Sequence, residues 1–97
     1  MDIVDLPQPL EFEWDGHNST KVRLRHGIIP EEAEQAFFNY LLLILDEKHS
    51  SVEQRYQLVG ATNAGRVLFT AFTIRGNKIR IISARSASKK ERNNYDK

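Results

Sequence analysis

The chain has 97 residues and a formal net charge of +1, enough for one domain with one modest core over residues 1–97, the first nine irregular. It has no cysteine, which excludes a disulfide framework, thiolate zinc sites and a catalytic thiol, and suits a reducing cytoplasm. The opening MDIVDLPQPLEFEW is acidic and holds two prolines, unlike a signal peptide, and the apolar run Leu41 to Leu45 is far too short to cross a bilayer, so no membrane association is expected.

Leu10, Phe12 and Trp14 alternate with Glu11 and Glu13, the pattern of a half-buried strand. Trp14 shares that apolar face and reads as a core anchor rather than a stacking platform. Asn18 and Ser19 are candidate N-caps for a short helix through Arg25, with Gly27 fitting its C′ position. Pro30 suits the first position of a second helix, and Glu31, Glu32 and Glu34 lie near its positive end. Ala33, Ala36, Phe37 and Tyr40 follow helical spacing and form its expected buried face.

Leu41 to Asp46 fits a short buried strand better than a helix end. Three further strands follow: Gln54 to Thr62, Arg66 to Ile74 and Lys78 to Arg85. Turns at Asn63-Ala64-Gly65 and Arg75-Gly76-Asn77 join them into an antiparallel meander. Strict alternation on the last strand puts Ile79, Ile81, Ser83 and Arg85 on one face and Arg80, Ile82 and Ala84 on the other. Ser88 and Glu91 form a capping box for a closing helix to Tyr95. A helix this short must be held by docking, with Tyr95 and Ala87 the candidates. The expected fold class is α+β, a small antiparallel sheet with helices packed on one face.

Charge divides the chain. Residues 1–54 carry four bases and eleven acids, and residues 55–97 carry ten bases and two acids. A basic half with six arginines points to a polyanion. It could equally neutralise the acidic half within the fold. No phosphate-binding glycine loop or nucleophile elbow occurs. His26 and His49 are far apart, and no carboxylate stands at metal-ligand helical spacing to either in a recognised pattern, so no metal is expected. Guanidinium groups are planar, permanently charged and bidentate, which suits phosphate. Arg66 and Arg75 stand at opposite ends of one strand. His49 and Glu53, in the loop before the meander, are candidate bases.

FEWD, RHGIIPEEA, HSSVEQR, Gly-Arg-Val-Leu, TIRG, RIISARSA and KKERNNY occur in this order over residues 11 to 95. In these strings the chain resembles the BrnT toxins. The resemblance implies a RelE-like fold and a ribonuclease that halts translation. It also implies a dimeric BrnA-type antitoxin that carries a DNA-binding module, so that the pair would repress its own operon. His49, Glu53 and Arg55 carry over from HSSVEQR, Arg66 from Gly-Arg, Arg75 from TIRG, and Arg80 and Arg85 from RIISAR. Two departures stand out: Val22 where the family usually has Asn, and a more apolar stretch from Asn39 to Leu45.

The expected reaction is metal-independent RNA cleavage, without a cofactor, by attack of a ribose 2′-OH on the adjacent phosphorus. Arg66, Arg75 and Arg85 would neutralise the phosphorane, with His49 or Glu53 assisting proton transfer. Arg55, Arg80, Lys89, Lys90 and Arg92 would bind RNA. The rival expectations are a catalytically silent RNA-binding module and a regulatory partner whose basic half meets only an acidic antitoxin. No coiled-coil heptad is visible, so the free chain is expected to be a monomer.

Overall fold

A computed structural model describes residues 6–19, 27–46, 48 and 53–96. Helix α1 spans Pro30–Gln35, and strands β1 to β4 span Leu41–Asp46, Arg55–Ala61, Val67–Arg75 and Lys78–Ser86; helix α2 spans Lys89–Tyr95. The strands pair antiparallel in sequence order, so the expected three-strand meander gains Leu41–Asp46 at one edge. Residues 16–19 form a helical turn.

Leu10 to Trp14 does not extend into a strand. It makes one parallel bridge, Phe12 to Ile79, in which the Glu13 and Ile79 N–H groups donate to Ile79 and Glu11 oxygens at 2.8 Å. Pro7 and Pro9 before it and the helical turn after it leave room for no more. The bridge still covers the outer edge of β4.

The turn at 16–19 begins earlier than Asn18 and Ser19 suggest. Asp15 is its cap, and its Oδ1 accepts from the N–H groups of His17 and Asn18. Asn18 answers from inside the turn, its Oδ1 accepting from the Asp15 N–H at 2.8 Å. The remainder of the expected helix, through Arg25, lies outside the described residues. Gly27 has φ +65°, in the left-handed region that favours glycine.

Helix α1 and the turn that follows it bury Ala33, Ala36 and Phe37 completely or nearly so. Tyr40 is instead 60% exposed. The helix stops at Gln35, because the Asn39 side chain donates to the Ala61 carbonyl and the Gln35 side chain accepts from the Asn63 N–H, turning the chain into β1. Gly60 lets this end of α1 lie directly on β2: a Cβ there would stand 2.6 Å from the Ala36 carbonyl oxygen. The core joins Ile28 and the α1 face to Leu58, Leu68, Phe72, Ile79, Ile81 and Ala84. Phe72 sits at its centre, edge-on to Phe37 and stacked on Tyr56.

Strict alternation fails on β4. Ala71 pairs with Ser83, but Phe72 pairs with Ile81, so Ile82 is the extra residue of a β-bulge. Ile79, Ile81 and Ala84 therefore face the core. Arg80, Ser83 and Arg85 project from the opposite face, which corrects the expected grouping of Ser83 and Arg85 with Ile79 and Ile81. Helix α2 is capped as expected, with Ser88 Oγ accepting from the Glu91 N–H and Glu91 Oε1 accepting from the Ser88 N–H. It docks through Tyr95, whose hydroxyl donates to the Tyr40 carbonyl at 2.7 Å while the two rings lie 5.2 Å apart. Arg85, on the face opposite the core, holds Glu91 of α2.

Candidate active site

The site begins as a row across three strands. Arg55 pairs with Thr73, and Thr73 pairs with Arg80, so all three project from the face opposite the core. Thr73 is buried in the middle of the row, and its hydroxyl donates to the Gln54 carbonyl. Arg75 lies two residues further along the same face, beside the hairpin turn.

The acidic N-terminal segment wraps the β4 edge and meets this row. Arg80 sits between Glu13 Oε1 at 3.1 Å and Asp15 Oδ2 at 2.9 Å, its side chain only 13% exposed. Arg75 is half exposed and grips Glu53 with two bonds, Nε to Oε2 at 2.8 Å and Nη2 to Oε1 at 3.1 Å. Glu13 lies 3.9 Å from its Nη1. The Arg75 hydrogen bond holds the Glu53 carboxyl below the usual carboxylate range, and Glu53 in turn raises the Arg75 guanidinium. Asp15 is also lowered, first by the Asn18 backbone N–H and then by Arg80. The two charge halves of the chain are thus partly neutralised against each other inside the fold.

Asn18 locks this wrap in place. It is buried, and its amide donates to the Glu13 carbonyl at 3.1 Å and to the Ile81 carbonyl, beside the bulge, at 3.0 Å. Asn18→Ala strands the Ile81 oxygen without that donor. We expect it to lower stability by about 1–3 kcal/mol, measured by urea unfolding; an unchanged midpoint would mean the wrap is not held by this amide.

The result is a pocket of about 210 Å³ lined by His17, Asn18, Glu53, Arg55, Arg75, Arg80, Ile81 and Ile82. Of the residues expected in a site, it gathers Glu53, Arg55, Arg75 and Arg80. Arg66 and Arg85 lie elsewhere. Arg66 precedes β3 and donates to Ser86 Oγ through Nε and Nη2. Arg85 pairs with Glu91 at 2.8 and 2.9 Å and lies over the Phe69 ring, 4.2 Å from its centroid. At about 3.3 Å per strand residue, Arg66 is roughly 30 Å from Arg75 and Arg85 roughly 20 Å. The three arginines expected to share one phosphorane therefore do not form one cluster. Lys89, Lys90 and Arg92 are exposed on α2, at the Arg85 end. His49 lies outside the described residues.

His17 is the residue that sequence reasoning passes over. A search for helix-spaced metal ligands weighs only His26 and His49. The available signal was Asp15, a strong cap two residues earlier that fixes where the turn, and so His17, begins. Among the described residues, no three His, Cys, Asp or Glu side chains are grouped to hold a metal ion, and no helix is long and apolar enough to cross a membrane. The apolar departure at Asn39 to Leu45 is partly open to solvent, at Tyr40 and Ile44.

Cations set around a carboxylate, with an imidazole beside them, define a protein suited to phosphodiesters. The family of ribonuclease toxins called BrnT, from type II toxin–antitoxin systems, matches residues 14–91, and the chain belongs to it. It is therefore the ribonuclease toxin component of such a system, with an antitoxin as partner. No individual curated protein gives a significant match.

Proposed function

We propose that RNA is cleaved in the pocket between the helical turn and the β3–β4 hairpin, without a metal ion. The observation that carries this is the convergence of Arg55, Arg75 and Arg80 on one pocket with Glu53 and His17. Cleavage of a phosphodiester by its neighbouring 2′-OH needs three things: a proton acceptor for the hydroxyl, positive charge for the phosphorane, and a proton donor for the leaving 5′ oxygen. Glu53 is ionised at neutral pH and takes the hydroxyl proton. Arg75 and Arg80 neutralise the phosphorane oxygens, Arg55 holds the adjoining phosphate, and His17 protonates the 5′ oxygen. The oxygen–phosphorus bond to the 2′ position forms as the bond to the 5′ oxygen breaks, leaving a 2′,3′-cyclic phosphate and a free 5′-hydroxyl. DNA lacks the nucleophile and is spared.

The test is incubation of purified protein with single-stranded RNA in excess chelator. Cleavage with cyclic phosphate ends, and none when the 2′-OH is replaced by hydrogen, is the expected result. Activity abolished by the chelator and restored by a divalent cation would overturn the metal-free reading.

The same reading takes the fold as RelE-like and the chain as one cytoplasmic domain, monomeric when free and neutralised by a BrnA-type antitoxin. Operator DNA is reached only through that antitoxin.

A further inference from the structure

The far end of the exposed sheet face is built differently from the pocket. Its central feature is Arg85, whose guanidinium edge is held by both oxygens of Glu91. Arg85 also donates to the Ser86 carbonyl. One guanidinium face lies on the Phe69 ring. Glu91 is itself fixed by the Ser88 N–H and belongs to the capping box of α2. With Glu91 on one edge and Phe69 on one face, the Arg85 side chain as a whole is still 40% exposed. A flat, rigid cation is thus presented to solvent.

The bulge at Ile82 makes this arrangement serve the pocket. Without the extra residue, Arg80 and Arg85 would project from opposite faces. With it they share one face, and the floor between them is the pair Ala71 and Ser83, both small and partly exposed. Lys89 and Lys90 stand exposed on the first turn of α2 beyond Arg85. The path from Arg75 to Phe69 is roughly 20 Å, a span of several nucleotides.

We propose that Phe69 and Arg85 form a stacking platform for one unpaired RNA base, so that a single strand lies along β3 and β4 with one end in the pocket and a base several nucleotides away on the guanidinium. Arg85 then contributes a plane rather than a phosphate contact: Glu91 and the Ser86 carbonyl already take three of its five N–H donors. Unpaired bases stack on guanidinium planes and aromatic rings whatever their identity. The strand's direction and the phosphates it leaves in the pocket rest on the reading of that pocket as the cleavage site; the platform itself does not.

The probe is a single-stranded 2′-O-methyl oligoribonucleotide of about eight residues, within the range of known single-strand site sizes, which binds without being cut. Its affinity is measured for the parent and for Arg85→Lys, which keeps the charge and removes the plane. We expect about a tenfold loss, given the usual worth of one stacked base. That ratio should hold from low to physiological salt, since no counterion-releasing contact is lost. In the parent, removing the base at one position of the oligonucleotide should cost the same factor, and Arg85→Lys should bind that abasic strand with no additional loss. Equal affinity of the parent and Arg85→Lys, no sensitive position in the abasic series, or an abasic penalty of the same size in both proteins would overturn the platform. So would loss of antitoxin capture by Arg85→Lys with oligonucleotide binding intact, which would assign this face to the protein partner. Cleavage of a dinucleotide by the parent, too short to reach Arg85, tests the pocket separately.

Discussion

Arg75→Ala is expected to slow RNA cleavage by about 100-fold or more while the protein melts as the parent does. The rate loss follows from removing a fixed cation from the place where phosphorane charge develops, which for a single preorganised donor is typically worth two to three powers of ten. The small effect on folding follows from exposure. The Arg75 side chain is half exposed, its pair with Glu53 is open to solvent and salt, and its contact with Glu13 is 3.9 Å long. Ion pairs of that kind contribute little to stability. Arg80 would be a poorer test, because removing it leaves Glu13 and Asp15 facing each other without the cation between them. The measurement is single-turnover cleavage beside thermal melting, with growth after induction and antitoxin capture of the same variant. A variant that cuts at the parental rate would show that Arg75 is a surface charge. One that loses activity only by unfolding would show that the acidic segment needs Arg75 to hold its place.

The second large effect falls on the fold. Gly60→Ala should destabilise the protein by about 2–3 kcal/mol, a fall in Tm of roughly 10 °C or more for a domain of this size. The new Cβ would stand 2.6 Å from the Ala36 carbonyl oxygen, 3.1 Å from a Leu58 methyl and 3.3 Å from the Ala36 Cβ. Leu58 can rotate. The Ala36 oxygen cannot, because it belongs to the backbone where α1 turns toward β1. Either the helix end lifts or β2 bends, and each opens the core around Phe37 and Phe72. Tm by calorimetry decides the matter: a value equal to the parent's would mean that this helix end yields without cost.

What could be read in advance was local. The turns at Asn63-Ala64-Gly65 and Gly76-Asn77 announce the meander, and the reciprocal hydrogen bonds of Ser88 and Glu91 are visible in their spacing. Ala33, Ala36 and Phe37 follow helical periodicity and are buried. The misreadings arose where pairing over long distances decides. Nothing in Arg80-Ile81-Ile82-Ser83-Ala84-Arg85 marks Ile82 as the residue to be left out of register, because both isoleucines suit a strand equally well. That one residue reverses the face of Arg85. In the same way, helical spacing continues to Tyr40, but Asn39 and Gln35 reach across to Ala61 and Asn63 and end the helix first. The site was half legible. Glu53 and Arg75 could be named from their chemistry, and Arg55 and Arg80 from the resemblance. That His17 joins them depends on a wrap around the β4 edge that only Asn18, bonded to Ile81, discloses.

The pocket draws on three separated stretches of chain: the turn holding His17 and Asn18, the entry to β2 with Glu53 just before it and Arg55 at its start, and the hairpin carrying Arg75 and Arg80. For a ribonuclease made in the cell it can harm, this arrangement governs timing. Synthesis delivers the first half of the protein as an acidic segment with no arginine row to pair with. At roughly 5–20 residues per second, several seconds pass between His17 and Arg80. Through most of that interval the growing chain holds the imidazole, joined from Glu53 onward by the carboxylate, but neither of the cations proposed to stabilise the phosphorane. With the pocket proposed above as the cleavage site, the messenger being read would be spared by its own product until the last third of the protein emerges.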